Sequence, residues 1–189
     1  MFIKVGGKLK STNLLVGIIL DILDVNHKNR PNLSIGERTF YNSTSNTIYL
    51  GTFKLPKAFE DLAHESMHCL QKSENRLGFY TPQDRAKYAG NTEGMFFKYD
   101  FEREAQAFGW FFAGRILDLL YSEVEKTKEI YEQNRILYSK MTQLVANDVV
   151  TLEDQNSIQK LLDIEYERIK KKYSERMNLF AQELIDWKE

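Results

Sequence analysis

The chain holds a single cysteine, Cys69, among its 189 residues, so no internal disulfide can form. A fold that depends on covalent staples is thereby excluded, and a reducing compartment suits the sequence. Charge of one sign is equally lacking: 26 basic residues face 27 acidic ones, for a net of −1. Such a balance provides no chain-wide attraction to nucleic acid or anionic lipid. Long apolar runs are missing too. The longest near the N-terminus, Leu14–Leu20, is too short to span a bilayer, and Asp21 and Asp24 interrupt its continuation. No small-residue cleavage site follows it, so we read a core-facing helix of a soluble, cytoplasmic-type protein with no membrane partner. Histidine is scarce, with three in the chain, and neither internal repeats nor low-complexity tracts are visible. What is present is enough apolar material for a core: 42% of residues are hydrophobic and 13% aromatic.

Periodicity divides the chain into elements. Met1–Val5 reads as a short strand ended by Gly6-Gly7, and Lys8 to about Asn26 as a helix with Leu15, Ile18, Ile19, Ile22 and Leu23 on one face. Asn26–Gly36 carries the turn formers of a loop. Arg38–Lys54 switches to a β pattern, with Thr39–Tyr41 and Thr47–Phe53 as arms of a hairpin. After Pro56 a helix is expected from Lys57 to about Ser73, then a loop over Glu74–Asn91 and a helix from Thr92 to Tyr121. Ser122–Val145 and Thr151–Trp187 both read as long amphipathic helices. The fold class expected is α+β and mainly helical: a small antiparallel sheet on a helical body over 1–121, with a C-terminal helical hairpin over 122–189.

Two of the three histidines fall in His64-Glu65-Ser66-Met67-His68. Four-residue spacing on a helix stacks both imidazoles on one face, where their nitrogens can converge on one metal ion. Glu65 then reaches past the metal toward a bound water, as a general base. The apolar stripe Phe59, Leu62, Ala63, Met67 and Leu70 lies opposite, so the histidines are expected to line a cleft. The preceding strand, Thr47–Phe53, would offer a free edge to an extended peptide.

A third ligand is sought downstream. In the helix around Lys98–Phe112, Glu104 shares a stripe with Phe97, Phe101, Ala105, Phe108 and Phe112, whereas Glu102 points about 160° away among Lys98, Gln106 and Gly109. A carboxylate on an apolar face requires a partner. Zinc held by the histidines is one candidate, and an ion pair with Arg103, Arg115 or another base is the other. Glu102, Glu93 and Asp100 are reserve ligands. Cys69 is turned about 100° from His68 and reads as a buried small hydrophobe, and His27 as an exposed loop residue.

Taken together, His64-Glu65-x-x-His68 and Glu104-Ala105-x-x-Phe108 resemble the gluzincin metallopeptidases, and most closely the small bacterial and phage immunity-type (ImmA/IrrE-like) group. The resemblance covers roughly Thr39 to Leu120. It implies Zn2+ held by His64, His68 and Glu104, with Glu65 taking a proton from the zinc's water and passing it to the leaving amine. It also implies a protein or peptide substrate, with Tyr80, Tyr88 or Tyr99 as candidates to stabilise the oxyanion. A phage-encoded or virion-associated origin fits the same group. Met67 departs from the small residue many relatives carry before the second histidine, and the Leu-Met-Pro ending of their ligand helix is missing.

Two other readings stand beside this one. The fold could serve as a catalytically inactive interaction module, with the C-terminal helices binding a protein partner. Their stripe Tyr166, Ile169, Tyr173, Met177, Phe180, Leu184 and Trp187 matches Val124, Tyr131, Tyr138, Met141 and Val145, so packing within the chain is the simpler use. The run Lys170–Lys172 is flanked by Glu165, Glu167 and Glu175, which reads as a solvated face, and no nucleic acid is expected.

Overall fold

The computed structural model describes residues 2–5, 8–51, 57–79, 83, 99–120 and 152–188. Strands β1 (Phe2–Val5) and β2 (Lys8–Ser11) pair antiparallel, with Val5 opposite Lys8. The helix expected from Lys8 therefore begins only at Thr12. Helix α1 (Thr12–Ile22) is capped by Ser11, whose side chain accepts the Leu14 amide, and its stripe Leu15, Ile18, Ile19 and Ile22 is buried.

The stretch expected as a loop contains a 3-10 turn, His27–Asn29, and strand β3 (Asn32–Ile35). β3 runs parallel to β5 (Thr47–Leu50), and β4 (Phe40–Asn42) pairs antiparallel with the other side of β5. The expected hairpin is present, but the sheet is mixed rather than purely antiparallel, in the order β3-β5-β4. Strand β5 is central, so the free edge expected on it is already paired on both sides. Its residues Thr47, Ile48 and Leu50 are accordingly buried.

Helix α2 (Lys57–Ser73) carries the histidine motif and packs on α1, on β4 and β5, and on helix α3 (Asp100–Leu120). α3 begins at Asp100, and residues 92–98, over which the helix was also expected, lie outside the described residues. Tyr99 forms a bend just before it, and its carbonyl accepts the amides of Glu102 and Arg103 at 3.1 and 3.0 Å. Gly109 lets the two helices close up: a Cβ there would meet the Glu60 carbonyl at 3.0 Å and the His64 Cβ at 3.5 Å.

Helices α4 (Leu152–Leu179) and α5 (Ala181–Lys188) follow, with a break at Phe180. Ile169, Tyr173, Met177, Leu184 and Trp187 are buried in the same core as α1, β5, α2 and α3. The Trp187 ring sits edge-on to Phe59 at 6.1 Å, and its N–H donates to the Ser11 carbonyl at 2.8 Å. The described part of segment 122–189 thus shares one core with the rest. The helix expected over Ser122–Val145, and with it the hairpin, lies outside the described residues. The fold is α+β and mainly helical. Among the described residues, no helix is long and apolar enough to cross a membrane.

Candidate metal centre

α2 places His64 and His68 one turn apart, and α3 covers both. Their Nε2 atoms are 3.1 Å apart. The third corner of this triangle is Glu102, whose Oε2 lies 3.2 Å from His64 Nε2 and 3.3 Å from His68 Nε2. A tetrahedral zinc with bonds of about 2.0–2.1 Å needs ligand atoms about 3.3 Å apart. The two imidazoles and one carboxylate therefore fit that ion in donor chemistry and in spacing. A carboxylate oxygen of Glu65 completes the cluster, within 4.8 Å of a ring nitrogen of each histidine.

Glu104 does not join them. Its Oε1 accepts from Arg168 of α4 at 2.8 Å, and its Oε2 from Arg76 at 2.6 Å and Gln71 at 2.9 Å. Burial opposes its charge, but these hydrogen bonds outweigh burial and lower its pKa. The partner that Glu104 required is a pair of arginines, which corrects the expectation of a third ligand at this position. The physical reason is that α3 is buried on two faces. Phe108 and Glu104 turn toward α4, where the Phe108 ring meets Tyr173 at 5.2 Å. Glu102 and Gly109 turn toward α2. Seven residues span nearly two full turns, so a glycine at position 109 marks the side on which α2 approaches position 102. That signal was present in the sequence and was outweighed by the aromatic stripe.

The surroundings of the triangle differ from a solvent-lined cleft. Both histidines are only 7% exposed, and Glu102 is 3% exposed. Burial disfavours the charged form of Glu102, yet its hydrogen bonds to His64 and His68 hold the carboxyl well below the usual range. Phe101 places its ring 6.0 Å from that of His68, and Gly78 gives it room, since a Cβ there would meet that ring at 2.3 Å. Gln71, which is fully buried, bridges the two helices: its Oε1 lies 2.8 Å from His68 Nδ1, and its Nε2 donates to the Phe101 carbonyl at 2.8 Å. Sequence reasoning passed over Gln71, although a glutamine three residues after His68 shares its helix face.

Glu65 is fixed from the sheet side. The Tyr41 amide on the outer edge of β4 donates to Glu65 Oε2 at 2.7 Å. Backbone amides carry no sequence signature, so nothing in the residue types announced this contact. Among the reserve ligands, Asp100 pairs with Arg103 at the surface, and Glu93 lies outside the described residues. Of the oxyanion candidates, Tyr99 packs on Phe101 at 5.4 Å, while Tyr80 and Tyr88 are outside the described residues. Cys69 is 1% exposed and donates to the Asn29 carbonyl, and burial pushes its thiol up to about 11, as suits a small buried side chain. His27 and Lys170–Lys172 are exposed. No known protein family, curated protein or solved structure matches the chain.

Proposed function

We propose that this chain is a zinc-dependent peptidase of the gluzincin type, hydrolysing a peptide bond in a protein or peptide substrate. The observation that carries the reading is the triangle of His64 Nε2, His68 Nε2 and Glu102 Oε2, with edges of 3.1, 3.2 and 3.3 Å, beside the Glu65 carboxylate. His64, His68 and Glu102 are the residues that would hold the ion, and Glu104 drops out of the ligand set. When bound, zinc supplies a Lewis acid that acidifies water and polarises a carbonyl. Glu65 acts as the base: the Tyr41 amide occupies its Oε2 and leaves Oε1 to take a proton from the attacking water. The same carboxyl then delivers that proton to the leaving amine. The half-buried position of Glu65 between β4 and the histidines supports this role, because it limits the carboxylate to a narrow range of directions.

The low exposure of both imidazoles, 7% each, favours one second reading: a structural metal site in an interaction module without turnover. A single set of variants separates the two. Purified wild-type protein is expected to carry about one equivalent of zinc, with Glu102→Gln and His64→Ala below half of that. Glu65→Gln is expected to keep the metal while hydrolysis of a mixed peptide library falls by roughly 10²–10⁴-fold. Wild-type protein with less than half an equivalent overturns the metal site. Zinc retained with no cleavage by the wild type selects the structural reading.

A further inference from the structure

We propose that Gln71 is a positioning residue for His68, and that Glu104 with Arg168 fixes the direction of its amide, making helix α4 part of the metal centre. The inference rests on the zinc-site reading above and concerns how that site is held. An amide side chain has a donor end and an acceptor end of almost the same shape, so its neighbours decide which way it faces. Gln71 Nε2 meets two acceptors, the Phe101 carbonyl at 2.8 Å and Glu104 Oε2 at 2.9 Å. Reversing the amide would set an oxygen against both, so Oε1 is the atom left for His68 Nδ1, at 2.8 Å.

An acceptor at that position requires Nδ1 to carry the hydrogen. In the neutral ring that a metal requires, the other nitrogen, Nε2, is then left with the lone pair, and it is the one that faces His64 and Glu102. A metal-ligating histidine is held in this way when a carbonyl or carboxylate takes its second N–H. Here the acceptor is itself directed by Glu104, whose two oxygens are clamped by Arg76 at 2.6 Å and by Arg168 at 2.8 Å. Arg168 stands 64 residues beyond Glu104 in sequence and belongs to α4. The path from α4 to the ligand therefore runs Arg168, Glu104, Gln71, His68, in contacts of 2.8, 2.9 and 2.8 Å.

The test is Zn2+ affinity, measured on the full chain by competition with a chromophoric chelator at fixed pH. Gln71→Leu is expected to weaken zinc binding roughly 10- to 100-fold. Arg168→Met, at a half-exposed side chain, is expected to weaken it by a smaller factor. The double variant should be no weaker than Gln71→Leu alone, because Arg168 acts through Gln71. In zinc-loaded protein with 15N-labelled histidine, the His68 Nδ1–H resonance should be protected from exchange in the wild type and lose that protection in Gln71→Leu. A merely structural ion pair would lower thermal stability in Arg168→Met and leave zinc affinity and this resonance unmoved. Affinity within about twofold of wild type in Gln71→Leu, or in Arg168→Met where the first variant does not fold, overturns the inference. Wild-type protein that binds no zinc removes the site itself, an outcome visible before any variant is made.

Discussion

Two imidazoles and a carboxylate within 3.3 Å of one another need a cation among them, either protons or a metal ion. Burial works against a charged His68. Its hydrogen bond to Glu102 and the negative charges of Glu102 and Glu65 prevail, pushing its pKa from 6.5 up to about 9. A folded-state value above the unfolded one stabilises the chelated protein fully below pH 6.5, and that contribution is lost as pH climbs through about 9. Zinc binding requires the neutral ring, so over the same climb the metal has less proton to displace and binds more tightly. The melting-temperature gap between zinc-loaded and chelated protein is therefore expected to widen from pH 6.5 to 9. A gap that stays constant across that window, read by calorimetry, would show that His68 does not exchange a proton for the metal. At this scale the histidines and Glu65 were legible because the spacing of a helix alone brings them together. Glu102 was not, since choosing it over Glu104 requires knowing which neighbour lies on which side of α3.

Elements differ in how closely they can approach, and two glycines of α3 illustrate this. At Gly109 a side chain would press on the Glu60 carbonyl at 3.0 Å, whereas a Cβ at Gly114 has nothing within 4 Å. Gly109→Val is expected to cost about 1–3 kcal/mol through overpacking, and to weaken zinc binding by separating Glu102 from α2. Gly114→Ala should instead add about 0.5–1 kcal/mol, because alanine loses less entropy in a helix. Urea titrations of both variants check the pair, and equal effects of one sign would refute the close approach at Gly109. Helix α2 was legible from Lys57 to Ser73 because its apolar period is local. Strand β3 was not: its four residues gain regularity only from a parallel partner that begins at Thr47. The two paired strands before α1 were hidden for a related reason, since short segments with mixed residues satisfy helix and strand patterns alike.

For the whole molecule, the question is whether the C-terminal helices belong to the body. Trp187 is 3% exposed, packs against Phe59 and donates to Ser11, so it ties the end of the described chain to β2 and α2. Removing a buried indole of this kind costs about 3–5 kcal/mol, so Trp187→Ala should lower chemical-denaturation stability by that amount in a single transition. A loss below about 1 kcal/mol would mean that α5 lies on the surface of the body rather than within its core. Arg176 adds a polar tie, donating to the Asp21 carbonyl at 2.6 Å across 155 residues of sequence. These contacts bear on the proposed metal centre because α4 also carries Arg168, which reaches Glu104.

The sequence by itself determined the mainly helical α+β class, the helix bearing His64, Glu65 and His68, and the burial of Cys69. It also determined that a carboxylate on an apolar stripe must be partnered. Each of these follows from spacing along one element or from the cost of burying one group. The tertiary structure decided that Glu102 meets the histidines and that Glu104 is held by Arg76 and Arg168. It also decided that β5 is a central strand and that Gln71 meets His68 while the Tyr41 amide meets Glu65. Those outcomes depend on which faces of separate elements meet, and periodicity within one element carries no information about its neighbour.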